Sequence, residues 1–367
     1  MQFYIPTKVF IEEDCVARHK NILSQYGKRA LIVTGRHSSR VNGSLDDVTG
    51  ALEEASIPYD IFSEVEENPS VETIEKAADL GKKFQADFVI GIGGGSPLDA
   101  SKAIALMINN PELTGQDLRI KKDLQALPVI AVPTTCGTGS EVTGVSVLTY
   151  HKEKTKGSIP YRIYPEAALV DGKYLLAAKK SIIVSTSIDA LAHSLESFLH
   201  AKADSYNRMF SSYGLKLWGQ IKDLPASPDP LNPEAARQLM MVSTVAGMAI
   251  AHTGTSLPHA MSYRVTYKLG LPHGRACGLF LAAYLREYAK NNADLVDQAL
   301  SLLGFDDLAS FDSCLRALMG PVSITEDDLT SFTDTFLEKD SSKLGTYPFP
   351  IDRSAVEEIF RSSFTLV

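Results

Sequence analysis

Apolar positions in the first 180 residues fall in short, nearly unbroken runs separated by longer amphipathic stretches. The runs Ala-Leu-Ile-Val at 30–33 and Phe-Val-Ile-Gly-Ile at 88–92 show no polar alternation. That pattern suits parallel strands covered on both faces. It predicts strands over 3–10, 30–34, 59–62, 88–92, 129–132 and 168–170, with helices between them such as 71–84 and 99–107. From Ser181 onward β-branched runs thin out and a 3.6-residue period takes over, at 187–200, 205–221, 233–251, 275–290 and several shorter stretches. One boundary near residue 180 is therefore expected, with an α/β half over 1–180 and an all-helical half over 181–367. Residues 225–233 form a short Pro-rich loop.

Composition adds bounds. The 367 residues are 44% hydrophobic and 22% charged, enough to bury a large core without disulfide or metal staples. Lys plus Arg number 36 against 44 Asp plus Glu, a net charge of −8. That balance argues against a protein built to neutralise a nucleic-acid backbone. The amino terminus has no basic start or apolar run of a secretory signal, and no stretch reaches bilayer length. Cys15, Cys136, Cys277 and Cys314 are scattered without a CxxC pair. Reduced thiols in a cytoplasmic, soluble protein are the expectation, with neither membrane nor nucleic acid as partner.

Candidate chemistry begins at Gly91-Ile-Gly-Gly-Gly-Ser-Pro-Leu-Asp99, between a predicted strand and a predicted helix. Ser96 suits an N-cap, Pro97 the first helical position, and Asp99 a capping-box spacing. Consecutive glycines there leave backbone amides uncovered at the positive end of a helix, where a diphosphate finds donors. A plain strand–helix turn also uses glycine. A second polar turn, Pro133-Thr-Thr-Cys-Gly-Thr-Gly-Ser-Glu141, follows the 129–132 strand. Adjacent strand ends of an open parallel sheet converge on a ligand crevice, so the pair suggests a dinucleotide site in residues 1–180.

In the helical half, Asp189 and His193 stand four apart on one helix face, with His259 and His273 downstream, each after a Leu-Pro. One carboxylate and three imidazoles suit a borderline metal such as zinc or ferrous iron. The same i, i+4 spacing also fits a simple helix-surface pair.

Taken in order, the segments Gly-Gly-Gly-Ser-Pro-Leu-Asp, Pro-Thr-Thr-Cys-Gly-Thr-Gly-Ser-Glu and Asp-Ala-Leu-Ala-His-Ser-Leu-Glu, with the two later histidines, resemble the iron-containing (group III) alcohol dehydrogenase family. The resemblance runs from Phe3-Tyr-Ile-Pro6 through His273-Gly274. It implies a Rossmann-like parallel-sheet nucleotide domain followed by an all-helical metal-binding domain, the dehydroquinate synthase-like architecture. It further implies Asp189, His193, His259 and His273 as metal ligands, with iron(II) favoured and zinc as the alternative. Gly94, Gly95 and Ser96, with Asp99 beside them, would meet the pyrophosphate. Thr134, Thr135, Thr138 and Thr143 would line the cofactor site, and Lys156 would reach the cofactor ribose. The implied reaction is reversible hydride transfer between a small alcohol or aldehyde and a nicotinamide cofactor, the metal polarising the substrate oxygen.

Two departures matter. Many relatives carry a proton-relaying histidine four residues after the third ligand; here that position is Tyr263, whose phenol can relay a proton or line the pocket wall. NAD-linked members carry an Asp at the end of the second nucleotide strand, where this chain reads Gly35-Arg36-His37-Ser38-Ser39-Arg40. Gly35 removes a carboxylate that would repel a 2′-phosphate, and Ser38, Ser39 and the arginines would bind one, so NADP(H) is expected over NAD(H). A zinc, NAD-linked polyol dehydrogenase and a dehydroquinate synthase-like lyase are the competing readings. The four-ligand set and Gly35 weigh against the first, and the lack of a basic cluster near the ligand motifs against the second. The amino-terminal strand resembles a family segment that pairs between subunits, which implies a homodimer.

Overall fold

The computed structural model describes residues 4–120, 123–153, 155–227 and 229–367; Phe3 of the amino-terminal motif and Pro228 of the Pro-rich loop lie outside them. By contacts the chain divides into two units, Tyr4–Ala178 with Leu231–Thr244, and Lys179–Pro230 with Val245–Val367.

The amino-terminal unit is built on strands β1 (Lys8–Ile11), β2 (Ala30–Gly35), β3 (Tyr59–Val65), β4 (Phe88–Gly93), β5 (Val129–Pro133) and β8 (Ala167–Val170), with β6 (Val147–Tyr150) and β7 (Thr155–Ser158) forming a separate antiparallel hairpin. The first six form one sheet in the order β1-β8-β5-β4-β2-β3, and every pairing in it is parallel. Its helices are α1 (Cys15–Arg18), α2 (Leu23–Tyr26), α3 (Ser38–Val41), α4 (Ser44–Glu54), α5 (Val71–Phe84) and α6 (Gly95–Asn109). The unbroken apolar runs follow from two covered faces. Leu31, Val33 and Val89 pack with Ile74, Ala77 and Ile104 of α5 and α6, while Ile32, Ile90 and Val132 pack with Leu45, Val48 and Leu52 of α4. Burying each such side chain contributes about 1.5–3 kcal/mol, so polar positions are unaffordable on either face.

The first strand starts at Lys8 rather than residue 3, five positions into the expected run. Pro6 has no N–H to give a ladder, and among the described residues β1 is an edge strand bonded only to β8.

The second unit holds α7 (Lys180–Leu199), α8 (Ser205–Ile221), the later part of α9 (Pro233–Thr253), α10 (Leu257–Leu269), α11 (His273–Gly278), α12 (Leu281–Ala289), α13 (Ala293–Leu303), α14 (Leu308–Met319), α15 (Glu326–Lys339) and α16 (Arg353–Ser363). It is helical apart from the short parallel pair β9 (Ser323–Ile324) and β10 (Thr365–Leu366), which an all-helical reading omits. The expected 275–290 helix is two helices. After Gly278 the chain turns through Leu279 and Phe280, where the Phe280 N–H bonds the Cys277 carbonyl, and Phe280 enters an aromatic cluster with Phe360 and Phe364.

The segment Leu231–Thr244 packs with the amino-terminal unit, an excursion that one boundary at residue 180 does not include. Its anchor is Gly172, where a Cβ would meet the Arg237 backbone nitrogen at 2.6 Å. Helix α7 is buried on every side from Ser187 to Leu199, as a central bundle helix is. Helix α8 lies close against it, with Gly214 against Ser194 and the Trp218 indole donating to the Ser187 carbonyl at 3.0 Å. No helix among the described residues is long and apolar enough to cross a membrane.

Candidate metal centre and cofactor turn

A buried central helix can carry polar side chains only where partners wait for them. The titratable ones buried on α7 are Asp189, His193 and Glu196, at i, i+4 and i+7 on one face. His259 arrives from the first turn of α10 and His273 from the first residue of α11. Asp189 Oδ1 lies 3.9 Å from His193 Nε2, 3.4 Å from His259 Nε2 and 3.7 Å from His273 Nε2. The His193 and His259 rings stack with centroids 4.6 Å apart, and His273 meets His259 edge-on at 5.3 Å. The four residues singled out from the sequence therefore converge on one point.

Burial alone would raise the Asp189 carboxyl, but His193, His259 and His273 hold it below the usual carboxylate range. Burial lowers His193 to about 4, leaving a neutral ring with a lone pair to offer. Asp189 Oδ1 and His259 Nε2 are buried with no hydrogen-bond partner among the described residues. Left so, each would cost about 1–3 kcal/mol. Ligand atoms bonded at about 2.0–2.2 Å to one tetrahedral ion stand about 3.3–3.6 Å apart, close to the observed separations. The donor set thus fits a divalent metal, and His273, whose side chain is 43% exposed, is its solvent-facing member.

Two groups near this point were not singled out from the sequence as site residues. Cys277, one turn after His273, has its sulfur 3.7 Å from His273 Nε2 and belongs to the same tight cluster as Asp189, His259 and His273. Burial would raise its thiol, but His259 and His273 bring it down to about 7. Glu196 accepts from His259 Nδ1 at 2.5 Å and also from the Ser256 backbone N–H. The i, i+7 spacing from Asp189 was the available signal for Glu196, and the i, i+4 spacing from His273 for Cys277. In the amino-terminal unit, Lys102 on α6 was likewise not singled out. Tyr263 lies one turn after His259 on α10 and keeps 44% of its surface exposed.

In the amino-terminal unit the glycine turn joins β4 to α6. The N-cap is Gly94, not Ser96, because the helix starts at Gly95. Gly93, at φ +146°, makes the tight corner, and a Cβ there would meet the Pro97 ring at 2.6 Å. The amides of Gly95 and Ser96 in the first turn have no intrahelical acceptor, the condition for anion binding. Gly94 packs against Thr135 and Gly95 against Thr138, and the Thr134 N–H bonds the Gly93 carbonyl at 2.9 Å, so the two polar turns adjoin.

Ser96 and Asp99 do not make a capping box. Ser96 Oγ accepts from the Asn68 N–H, while Asp99 accepts from Ser140 Oγ at 2.6 Å and from the Val147 N–H at 2.9 Å. Lys102, fully buried, donates to the Ser140 carbonyl, Ser140 Oγ and the Val145 carbonyl at 2.7–2.8 Å. Burial lowers this lysine to about 8. The Asp99–Lys102 pair on α6 therefore holds the loop that carries Thr134, Thr135, Thr138 and Thr143. Glu141 in the same loop is buried and accepts from Thr244 Oγ1 at 2.8 Å. Gly35 ends β2, the hydrogen-bonded neighbour of β4. Arg36 and Ser38 are exposed there, whereas Ser39 is buried with no partner for its hydroxyl, and Lys156 is exposed on β7.

The family model for iron-containing alcohol dehydrogenases matches residues 6–172, and that for the carboxyl-terminal part of Fe-containing alcohol dehydrogenases matches 183–363. The chain is 32% identical over 286 residues to the bifunctional aldehyde-alcohol dehydrogenase AdhE of Escherichia coli K12, an alignment covering 74% of this chain and 32% of that protein. It thus spans about a third of that relative's length. It is 29% identical over 327 residues to the NADPH-dependent butanol dehydrogenase of Clostridium saccharobutylicum, covering 86% of this chain and 82% of that one. The crystal structure of an iron-containing alcohol dehydrogenase from Thermotoga maritima superposes with a TM-score of 0.90 at 35% identity, over 99% of both chains. With both family models matched in order along nearly its whole length, the chain belongs to the iron-containing alcohol dehydrogenase family.

Proposed function

We propose that this chain is a metal-dependent alcohol dehydrogenase/aldehyde reductase using NADP(H) and a small alcohol or aldehyde. The observation that carries the reading is Asp189 Oδ1, buried without a hydrogen-bond partner among the described residues and 3.4–3.9 Å from three imidazole nitrogens. Asp189, His193, His259 and His273 would hold a divalent metal, iron(II) by family and zinc by donor chemistry. When bound, the metal supplies Lewis acidity toward a substrate oxygen and the nicotinamide supplies or takes the hydride.

The remaining work falls to the chain's own residues. The amides of Gly95 and Ser96 at the start of α6 bind the pyrophosphate, and Thr134, Thr135, Thr138 and Thr143 line the adjoining turn. Asp99 and Lys102 keep that turn in place through Ser140 and Val147. Tyr263, one turn from His259, carries a phenol that can pass a proton toward solvent, and Lys156 offers a cation for the cofactor ribose. Residues 1–180 would thus carry the cofactor and 181–367 the metal.

The preference for NADP(H) rests on Gly35 in place of a carboxylate, on exposed Arg36 and Ser38 at the end of β2, and on the NADPH-dependent relative. A homodimer is proposed from the free edge of β1. The test is to strip the protein, add ferrous or zinc ion, and follow nicotinamide absorbance with NADPH and short aldehydes. Oxidation is expected with at least one of them, and none with any would end the reading. A higher kcat/KM with NADH would overturn the cofactor preference, and a single species of about 40 kDa by light scattering would overturn the dimer.

A further inference from the structure

We infer that Glu196 is the positioning residue of the metal centre: it fixes His259 in the tautomer that leaves Nε2 free for the metal. The inference rests on the proposed metal site and adds a residue one helical turn beyond it.

Glu196 is fully buried on α7, one turn past His193. A carboxylate in such a place must have its oxygens met by donors. Both are met, and both donors come from the α10 end of the site. Oε1 accepts from His259 Nδ1 at 2.5 Å, and Oε2 accepts from the backbone N–H of Ser256, the N-cap residue of α10. With one oxygen meeting a backbone N–H and the other the His259 Nδ1, the carboxylate acts as acceptor to both, so the proton on Nδ1 is assigned by its partner and Nε2 is the nitrogen turned to the metal site. His259 Nε2 is the atom 3.4 Å from Asp189 Oδ1, and it has no hydrogen-bond partner among the described residues. The same carboxylate ties the first turn of α10 to α7, so one residue sets both the rotation of the His259 ring and the distance of its helix from Asp189.

Two features separate this from a buried ion pair of merely structural worth. The stripe Asp189, His193, Glu196 lies on one face of one helix, so the ligand and the group that orients its neighbour move together. The two donors facing Glu196 also admit no amide substitute. Glutamine presents one acceptor and one NH2, so Glu196→Gln sets a donor against either His259 Nδ1–H or the Ser256 N–H. Relief then comes by moving the His259 proton to Nε2, the ligating atom.

The test has two arms. In metal-free wild-type protein labelled with 15N-histidine, long-range proton–nitrogen spectra should show His259, assigned by its loss in His259→Gln, with the proton on Nδ1. An Nδ1 without a proton would overturn the inference without any Glu196 variant. In the second arm, zinc affinity is measured by chelator competition alongside thermal unfolding of the metal-free proteins. Glu196→Gln should bind zinc about 10–100-fold more weakly, the range for an outer partner of a ligating histidine. Zinc affinity within twofold of wild type, even with lowered apo stability, would reduce Glu196 to a structural role and overturn the inference. Failure of the wild type itself to bind zinc would instead refute the metal site on which the inference rests.

Discussion

Gly274 sets the spacing of the metal centre, and filling it should open the site. This residue follows His273 in α11, where that helix meets α7. A Cβ on it would sit 1.8 Å from the Ser185 carbonyl oxygen, 2.8 Å from its carbonyl carbon and 3.0 Å from Asp189 Cβ. The obstacle is backbone, so no side-chain rotation relieves it. Restoring an ordinary carbon–oxygen contact of about 3.3 Å requires α11 to retreat by about 1.5 Å. Two atoms bonded at about 2.1 Å to one metal stand at most about 4.2 Å apart. His273 Nε2 is already 3.7 Å from Asp189 Oδ1, which leaves less slack than the retreat demands. Gly274→Ala should therefore lose His273 as a ligand and weaken zinc binding by at least about 100-fold, beyond the loss of an outer hydrogen bond. Overpacking should also cost about 1–3 kcal/mol of stability. Gly50→Ala in α4, where a Cβ meets nothing within 4 Å, is the control, with unchanged metal affinity. Chelator competition on both variants decides. Zinc affinity within twofold of wild type for Gly274→Ala would refute the reasoning, since α11 would then have room that the structure denies it.

Three further outcomes follow from the same geometry. Lys102→Met leaves Asp99 buried without its cation, so it should cost about 3–5 kcal/mol in urea denaturation and raise the KM for NADPH; an unchanged KM would detach the pair from the cofactor turn. Cobalt(II) placed in the site should show no intense sulfur-to-metal charge-transfer band if His193 is the fourth ligand, whereas a band abolished by Cys277→Ser would assign that place to Cys277. His200 accepts the Lys202 N–H at Nδ1, and its burial depresses the ring to about 4. The unfolded chain takes up that proton below about pH 6.5, so this stability is present above that pH and is lost as pH falls toward the folded value. Relative to His200→Gln, the wild type should lose about 2.5 kcal/mol more between pH ~7 and ~4.5; parallel losses would refute the assignment.

The legibility of the fold followed the strength of each local constraint. Strands β2, β4 and β5 were readable because both of their faces are buried, which leaves no polar position to blur the run. Helices α5 and α8 were readable to the residue because each has a capping side chain, Ser70 and Asp204, and one apolar stripe. The 275–290 stretch misled because its apolar period continues through Leu279 and Phe280, while the break is imposed by where Phe280 must pack. The four metal-site candidates were visible through the Asp189–His193 spacing and the repeated Leu-Pro-His. The role of Asp99 was not, because its partners Ser140 and Val147 are more than forty residues away and become its neighbours only when β4 and β5 pair. Glu196 stayed hidden for the same reason, since its partner His259 is 63 residues further along the chain.

Redox activity is expected to depend on a metal held by Asp189, His193, His259 and His273. This dependence is tested most directly by metal analysis of protein purified without oxygen, paired with aldehyde-dependent NADPH oxidation, for wild type and Asp189→Asn. One divalent metal per wild-type chain is expected, with activity that vanishes on chelation and returns with added metal, and neither metal nor activity in Asp189→Asn. A wild-type chain that binds no metal under any loading, or full NADPH oxidation by Asp189→Asn, would contradict it.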